Sequence, residues 1–232
     1  MQVQLQPAYV LHTRAYRDTS LLVDILTRDH GRLTVVARGQ RQARQKARKP
    51  LQPFTMLLLS WQGRSDLKTL TTAETDHVEA PLFGDYLYSG LYANELLMRL
   101  LPDGDAQADI FLAYQHLIQR FARKEPLEAT LRQFEFQLLE ELGYGLDLAS
   151  EANTGEPIGA DKLYHYLSDL GFLEIDKASH QAAAGFFGEE LLAIARVDYS
   201  QKETRRAAKR LARLALTPHL GNKPLKSREL FR

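Results

Sequence analysis

The chain has 232 residues, of which 44% are hydrophobic and 25% are charged. This amino-acid composition is typical of a folded globular protein rather than a disordered one. It contains no cysteine, which excludes disulfides, thiolate metal sites and cysteine nucleophiles. No basic segment followed by an apolar core opens the sequence, and no run approaches about 18 apolar residues. We therefore expect a cytoplasmic protein with no membrane segment.

The net charge of +1 hides a strong segregation of charge along the chain. Residues 1–49 carry ten Lys/Arg and three Asp/Glu, residues 50–201 carry ten and twenty-four, and residues 202–232 carry ten and two. Two basic ends that flank an acidic middle could bind a polyanion, while the middle meets a different partner or keeps the protein soluble.

The first third of the chain has the two-residue periodicity of β-strands. The predicted strands are Tyr9–Thr13, Leu21–Leu26, Leu33–Ala37, Phe54–Trp61 and Leu67–Val78. The second and third form a hairpin across Arg28–Gly31, where Gly31 can take positive φ. Five short strands suit a small closed barrel of the oligonucleotide/oligosaccharide-binding (OB) type, although an open meander fits nearly as well.

A strongly basic loop joins the third and fourth predicted strands. It has no acidic residue and six cations, which are Arg38, Arg41, Arg44, Lys46, Arg48 and Lys49. Because like charges on a polar loop repel one another and bury nothing, the loop favours contact with a polyanion such as a nucleic-acid backbone. The alternative interpretation is a solvated, partly disordered loop.

Near Phe83 the periodicity changes to that of helices. Three helices are predicted, over Phe83–Leu101, Ile110–Phe121 and Leu127–Leu142, and Gly143 can cap the third. Asp147–Asp161 is a polar connector without periodicity, and Leu163–Gly171 and Phe186–Ala195 are predicted to be shorter helices.

The final predicted helix begins at Ser200–Glu203, whose Ser-x-x-Glu pattern is typical of a capping box. A narrow apolar seam is formed by Ala208, Leu211, Ala212 and Leu214, and we expect it to pack on the domain. The remaining surface is basic, with Lys202, Arg205, Arg206, Lys209, Arg210 and Arg213.

Patterns typical of enzymes are weak in this sequence. Gly221–Ser227 ends in Lys-Ser like a phosphate-binding loop, but Leu225 stands where that loop requires glycine. Ser65–Lys68 fits S-x-x-K without its companion motifs, and the seven histidines lack the spacing of a metal site. We predict a protein that is not an enzyme, with no catalytic residue, metal or cofactor.

Aromatic residues on the strands offer a second feature of nucleic-acid binding. Bases could stack on Tyr9, Tyr16, Phe54 or Trp61. Burial in the core is the more frequent role of such residues, above all for Phe54 and Trp61. The cations are therefore the better evidence, and they predict binding that is sensitive to salt and indifferent to sequence.

With these residues laid out, the chain resembles the RecO family of bacterial recombination mediators over nearly its whole length. The segments that carry the resemblance are AYVLHTRAYRDTSLLVDILTRDHGRLTVVARGQR, LQPFTMLLLSWQGRSDLKTL, YSGLYANELLMRLL, LRQFEFQLLEELGYG and AAKRLARLALTPHLGNKPLKSREL.

The resemblance implies an α+β protein, with an OB-fold barrel over residues 1–80 and a helical domain over residues 81–232. It also implies DNA repair and recombination on the bacterial nucleoid. Members bind single- and double-stranded DNA, anneal complementary strands without ATP, and act with RecR to load RecA onto DNA coated by single-strand DNA-binding protein. They contact the acidic carboxy-terminal tail of that protein.

Carried onto this sequence, the resemblance makes the six loop cations and the six cations of the last helix candidates for DNA contact. Lys223, Lys226 and Arg228 of the tail could join them. An apolar surface rimmed by cations would suit the partner's acidic tail, and the candidates for it are Arg120, Arg123, Leu127, Leu131 and Arg132. An intrahelical ion pair of Arg132 with Glu128 or Glu135 is an equally good interpretation.

The chain departs from the family pattern in one respect. Many members carry a four-cysteine zinc site in the helical domain, whereas this chain has no cysteine. No zinc is predicted, and Asp147–Asp161 must be held by packing and hydrogen bonds.

Two other functions remain open from the residues alone. An OB-fold RNA-binding factor of the ribosome or of RNA processing would also need a barrel and a basic loop. A nuclease would need a carboxylate cluster beside the basic surfaces, and the sequence offers none.

Overall fold

A computed structural model describes residues 2–41, 51–65, 67–77 and 80–231, and it confirms the predicted α+β class. The strands are β1 Gln2–Tyr16, β2 Ser20–Thr27, β3 Gly31–Ala37, β4 Met56–Gln62, β5 Lys68–His77, β6 Leu163–Leu167, β7 Gly171–Ile175 and β8 Phe186–Phe187. The helices are α1 Gly84–Leu100, α2 Ala108–Ala122, α3 Leu127–Glu141, α4 Gly188–Ala195 and α5 Lys202–Leu216. Short 3₁₀ turns occupy Ala182–Ala184, Thr217–His219 and Lys226–Phe231.

The first five strands form a closed barrel in the order β1-β2-β3-β5-β4. β4 pairs antiparallel with both β1 and β5, and β3 pairs parallel with β5, which closes the sheet. This is the five-stranded arrangement of the OB fold. The closed barrel is therefore confirmed over the open meander.

Apolar side chains from every strand fill the barrel interior, among them Val10, Val35, Leu57 and Trp61. They alternate with residues that face outward, as the two-residue period of a strand requires. The hairpin turn between β2 and β3 depends on Gly31, which has φ +64°, and a Cβ there would collide with the backbone carbonyl of Asp105. The predicted role of Gly31 is confirmed.

Helices α1 and α2 cover the outer face of β1. Tyr9 of β1 packs against Phe111 and Tyr114 of α2, with ring centroids 5.6 and 5.1 Å apart. Between these rings and β1, the Asn94 side chain donates a 2.9 Å hydrogen bond to the Leu11 carbonyl and accepts a 2.6 Å bond from the Tyr114 hydroxyl. Burial raises the pKa of Tyr114 well above its ordinary value, so this hydroxyl remains a donor.

The described chain forms two compact units. One contains the residues up to Glu125 and those from Lys223 onward, and the other spans Pro126–Asn222. Helices α1 and α2 therefore belong to the same compact unit as the barrel. The predicted boundary between residues 80 and 81 instead marks the change from strands to helices.

Within the unit Pro126–Asn222, α5 packs against α3 and α4, beside a three-stranded sheet of order β7-β6-β8. α3 ends as predicted, because Gly143 has φ +80° just after the last helical residues. Asp147–Asp161 contains neither a helix nor a strand, in agreement with the sequence analysis.

Three predictions of secondary structure or capping in this unit are wrong. Phe186–Ala195 is helical only from Gly188, because Phe186 and Phe187 pair with β6 as strand β8. Leu163–Gly171 is not a helix. Its first five residues form β6, which pairs with β7 from Leu163↔Ile175 to Leu167↔Gly171. Aromatic residues such as those of β6 favour a sheet, and Gly171, with φ +110°, begins the return strand. The predicted capping box at α5 is absent, since Gln201 is the N-cap residue and makes no side-chain capping hydrogen bond.

Replacing Asn94 with alanine should destabilise the barrel unit by about 2–3 kcal/mol, because it removes a donor and an acceptor from a site that water does not reach. Trp61 is the sole tryptophan of the chain and lies in the barrel core, so its fluorescence during urea unfolding reports on this unit. The exposed Asn222→Ala variant is the control. Equal unfolding midpoints for Asn94→Ala and the control would contradict this role.

Candidate nucleic-acid interface

Arg38 and Arg41 begin the predicted basic loop at one end of the barrel, directly after β3, and both are exposed. The turn is tied to the loop between β1 and β2, because the Arg41 backbone N–H donates to the Thr19 carbonyl at 3.0 Å and its guanidinium donates to the Arg17 carbonyl at 2.8 Å. The other loop candidates, Arg44, Lys46, Arg48 and Lys49, lie outside the described residues.

Two further arginines lie at the same end of the barrel and were missed by the sequence analysis. Arg14 near the end of β1 and Arg17 in the following turn are exposed. The register places Ala15 opposite Leu21, and Leu21 opposite Ala37, so β1 and β3 are two strand spacings apart, about 10 Å. Both lie between the first two predicted strands, and this position was the signal that the sequence offered.

The four aromatic residues considered for base stacking differ in how deeply they are buried. Tyr9 and Trp61 are in the core. Phe54 is half-buried and packs so closely on α1 that a Cβ on Gly90 would lie 2.7 Å from its ring. Tyr16 is half-buried at the barrel end, with the Arg17 guanidinium 5.1 Å from its ring centroid. Of the four, Tyr16 lies beside the basic residues at this end.

Helix α5 presents a stripe of exposed cations. Its four members are Lys202, Arg206, Lys209 and Arg213, and we call them the α5 stripe. Spacings of four, three and four residues put them on one side of a helix, over about 16 Å of its length. No salt bridge joins any of the four to another residue within the described part of the chain.

The opposite side of α5 is buried through small and apolar residues, including Ala208, Leu211 and Ala212 of the predicted seam. Leu214 was predicted to belong to the buried seam, and this is wrong, because the residue is 43% exposed beside Arg213. The helix therefore has one buried apolar face and one solvent-exposed basic face, as expected for an amphipathic helix.

The other two α5 arginines are engaged within the unit. Arg205 donates to the carbonyls of Tyr199 and Ser200 at 2.8 and 2.7 Å and lies 3.3 Å from a Glu128 carboxylate oxygen. Arg210 donates to the Gly185 carbonyl, and its guanidinium lies 4.0 Å from the Phe186 ring centroid. These contacts use the planar guanidinium group and bind α5 to its neighbours.

Neighbouring residues on α5 should therefore respond differently to truncation. Arg210→Ala should lower the free energy of unfolding by about 1–3 kcal/mol, because it removes a hydrogen bond and a cation–π contact. Lys209→Ala, its matched control, should change stability by less than about 0.5 kcal/mol. Thermal unfolding followed by circular dichroism tests the difference, and equal losses would refute the division of roles.

The tail candidates Lys223 and Lys226 are exposed and lie on a segment that is anchored to α1. Arg99 donates to the carbonyls of Lys223 and Pro224, while the Glu95 carboxylate accepts bonds from the Lys226 and Ser227 backbone N–H groups at 3.0 and 2.9 Å. Arg228 is half-buried. The anchor gives the two lysines a defined position on the barrel unit.

Glu95 makes this anchor sensitive to acid. Burial acts to raise the Glu95 pKa, but hydrogen bonds from Ser227 and Lys226 and the charge of Arg99 outweigh it, so the net effect lowers the pKa. A carboxyl whose pKa falls on folding stabilises the folded state above its ordinary pKa, about 4.3, and this stabilisation is lost as the pH falls below that value.

Amide hydrogen exchange of Lys226 and Ser227 should therefore be slow at neutral pH and should accelerate, after correction for intrinsic rates, below about pH 4.3. In Glu95→Gln at least one of these two amides should exchange fast at both pH values, because an amide side chain has one accepting oxygen where the carboxylate has two. The exposed Glu229→Gln variant should behave like the parent protein. Protection of both amides that survives in Glu95→Gln would overturn the anchor.

The candidates for the partner's acidic tail fall into the two units. Arg120 and Arg123 end α2 in the barrel unit, where Arg120 forms a 2.6 Å ion pair with Glu125 and Arg123 is exposed. Leu127, Leu131 and Arg132 begin α3 in the second unit. Arg132 is only 6% exposed and forms a 2.7 Å intrahelical ion pair with Glu135, the contact that the alternative interpretation describes.

The connector Asp147–Asp161 is organised around a carboxylate. Glu151 accepts hydrogen bonds from the backbone N–H groups of Asn153 and Thr154 and from the Thr154 hydroxyl, at 2.6–2.9 Å. The bonds from Thr154 are the main reason that the Glu151 pKa is lowered. No group of three or more His, Asp or Glu side chains in the described ranges could hold a metal ion, so these residues do not fit the zinc site of other members.

Two family models match the chain. The model described as "Recombination protein O N terminal" matches residues 1–77, and "Recombination protein O C terminal" matches residues 84–229. The chain belongs to the RecO family. The RecO resemblance seen in the sequence is thereby confirmed.

Curated relatives named "DNA repair protein RecO" agree with this membership. The relative from Cellvibrio japonicus is 51% identical over 100% of this chain and 98% of its own length. Those from Haemophilus influenzae and Glaesserella parasuis are 47% and 45% identical, over 100% and 98% of this chain and 97% and 95% of their own lengths. In addition, none of the helices within the described ranges has the length and hydropathy needed to cross a membrane.

Proposed function

We propose that this protein is a DNA repair and recombination mediator that binds single- and double-stranded DNA and anneals complementary strands without ATP. With RecR it would help to load RecA onto DNA coated by single-strand DNA-binding protein, whose acidic carboxy-terminal tail it would contact. It would act in the bacterial cytoplasm, on the nucleoid. Membership of the RecO family supports the general role in DNA repair.

The α5 stripe is the observation that carries the DNA-binding part of the proposal. Its four cations share one exposed side of a helix and lack internal ion pairs among the described residues, so their charge is available to phosphate groups. Replacing condensed counterions on DNA with protein cations releases those ions, which supplies most of the affinity for any sequence. No base-reading element is required for this mode of binding.

The arginines at the barrel end extend the proposal to the first unit. Arg14, Arg17, Arg38 and Arg41 are exposed around a turn whose backbone is held by hydrogen bonds, and Asp18 is the acidic residue beside them. The half-buried Tyr16 could add base stacking, which is worth about 1–3 kcal/mol per base. We assign these residues, with Lys223 and Lys226, as further DNA contacts.

The proposed mechanism is not enzymatic. Complementary strands repel each other through their phosphates, and bound cations reduce this repulsion while the bases search for their pairs. The protein need form or break no covalent bond, and it need hold no cofactor. Its contribution is to raise the local concentration of the two strands and to lower the electrostatic barrier between them.

DNA binding measured against salt tests the α5 stripe. Lys209→Ala/Arg213→Ala should weaken binding to all sequences alike and flatten the slope of log affinity against log salt, by about 0.7 per lost contact on single strands and 0.9 on duplexes. The matched control is Lys177→Ala/Arg196→Ala, which removes two exposed cations outside α5. Equal effects of the two pairs would refute the assignment of the stripe.

Annealing tests the mediator role itself. Complementary DNA strands are coated with single-strand DNA-binding protein, with and without its acidic tail, and pairing is followed without ATP. The proposal predicts faster pairing that depends on the tail and is reduced in Lys209→Ala/Arg213→Ala. Normal DNA binding without any acceleration would contradict the mediator role, and a strong preference for structured RNA would favour the RNA-binding alternative.

A further inference from the structure

A pocket of about 450 Å³ lies within the unit Pro126–Asn222, and none of the residues assigned to DNA is in its lining. Its walls come from the loop after α3, the turn between β6 and β7, and the end of α5 with the following 3₁₀ turn. This volume is within the range of about 300–1,000 Å³ that is typical of ligand sites.

One wall of the pocket is aromatic. Tyr144 stacks on His219, with ring centroids 3.6 Å apart and planes 16° apart, yet 46% of Tyr144 is exposed. Tyr166 and Phe172 line the interior and pack on each other at 5.2 Å. At the turn between β6 and β7, Leu170 is 61% exposed. Leu170 therefore adds exposed apolar surface directly beside the aromatic wall, so that the apolar surface continues from the pocket to the outside.

The charges around the pocket are acidic. Asp147 and Asp169 line it, and the Glu140 carboxylate lies against Gly145 in its wall. Of the described residues in the lining, none is lysine or arginine, and His219 is engaged in the ring stack. Such a rim repels phosphates and acidic peptides and attracts a cation on an apolar stem.

We infer that this pocket binds a lysine or arginine side chain within an extended peptide segment of a partner protein. The aliphatic stem would pack on the aromatic wall while its charged end meets Asp147 and Asp169. Leu170 would contact apolar residues of the same segment outside the pocket, which a small free cation could not provide. The inference does not rest on the DNA-binding proposal, because it uses different residues and the opposite charge.

Selection from a phage library of random octapeptides on the full-length protein tests this inference. The enriched peptides should carry lysine or arginine beside an apolar residue, and their affinity should fall as salt is raised. Asp169→Asn should weaken them about threefold, and Leu170→Ser about fivefold or more. Glu203→Gln and Leu112→Ser, exposed changes of the same kinds elsewhere, should leave binding unchanged.

Thermal unfolding followed by circular dichroism should give the same midpoint for both pocket variants as for the parent protein, which shows that they remain folded. The inference is overturned if no peptide is enriched or if the enriched peptides are acidic. It is also overturned if the peptides bind the Leu170→Ser and Leu112→Ser variants equally well.

Discussion

A buried amide joins the barrel to the helices that cover it. The pairing of β1 with β2 shifts register between Val10 and His12, and this bulge leaves Leu11 out of the ladder. Asn94 of α1 donates to the Leu11 carbonyl and accepts from Tyr114 of α2, so one side chain joins three elements. Because a buried amide is stable only with its partners in place, this contact defines how α1 and α2 sit on the barrel.

The basic residues of α5 have two distinct physical roles. Arg205 and Arg210 use directional guanidinium groups to bind backbone carbonyls and a ring within their unit. The α5 stripe lies on the far side of the same helix, where charge remains in water. The number of basic residues in a sequence is therefore larger than the number of cations free to meet a partner, because some arginines hold the helix in place.

Carboxylates that accept several hydrogen bonds organise two irregular segments of the chain. Glu151 holds the connector Asp147–Asp161, and Glu95 holds the tail segment against α1. In each case backbone N–H donors lower the carboxylate pKa and keep it ionised at neutral pH. Hydrogen bonds thus supply order in a chain that has no cysteine.

The sequence by itself determined the five strands, the three long helices, the basic character of α5 and the RecO resemblance, because periodicity and composition are local properties. It did not determine that Leu163–Leu167 is the first strand of a hairpin with Gly171–Ile175, since LYHYL fits the period of a helix and that of a strand, and only pairing with β7 decides between them. Tertiary structure also decided which arginines are exposed, brought Arg14 and Arg17 to the same barrel end as Arg38, and formed the pocket beside Leu170. These features depend on contacts between residues far apart in the chain, which no local pattern records.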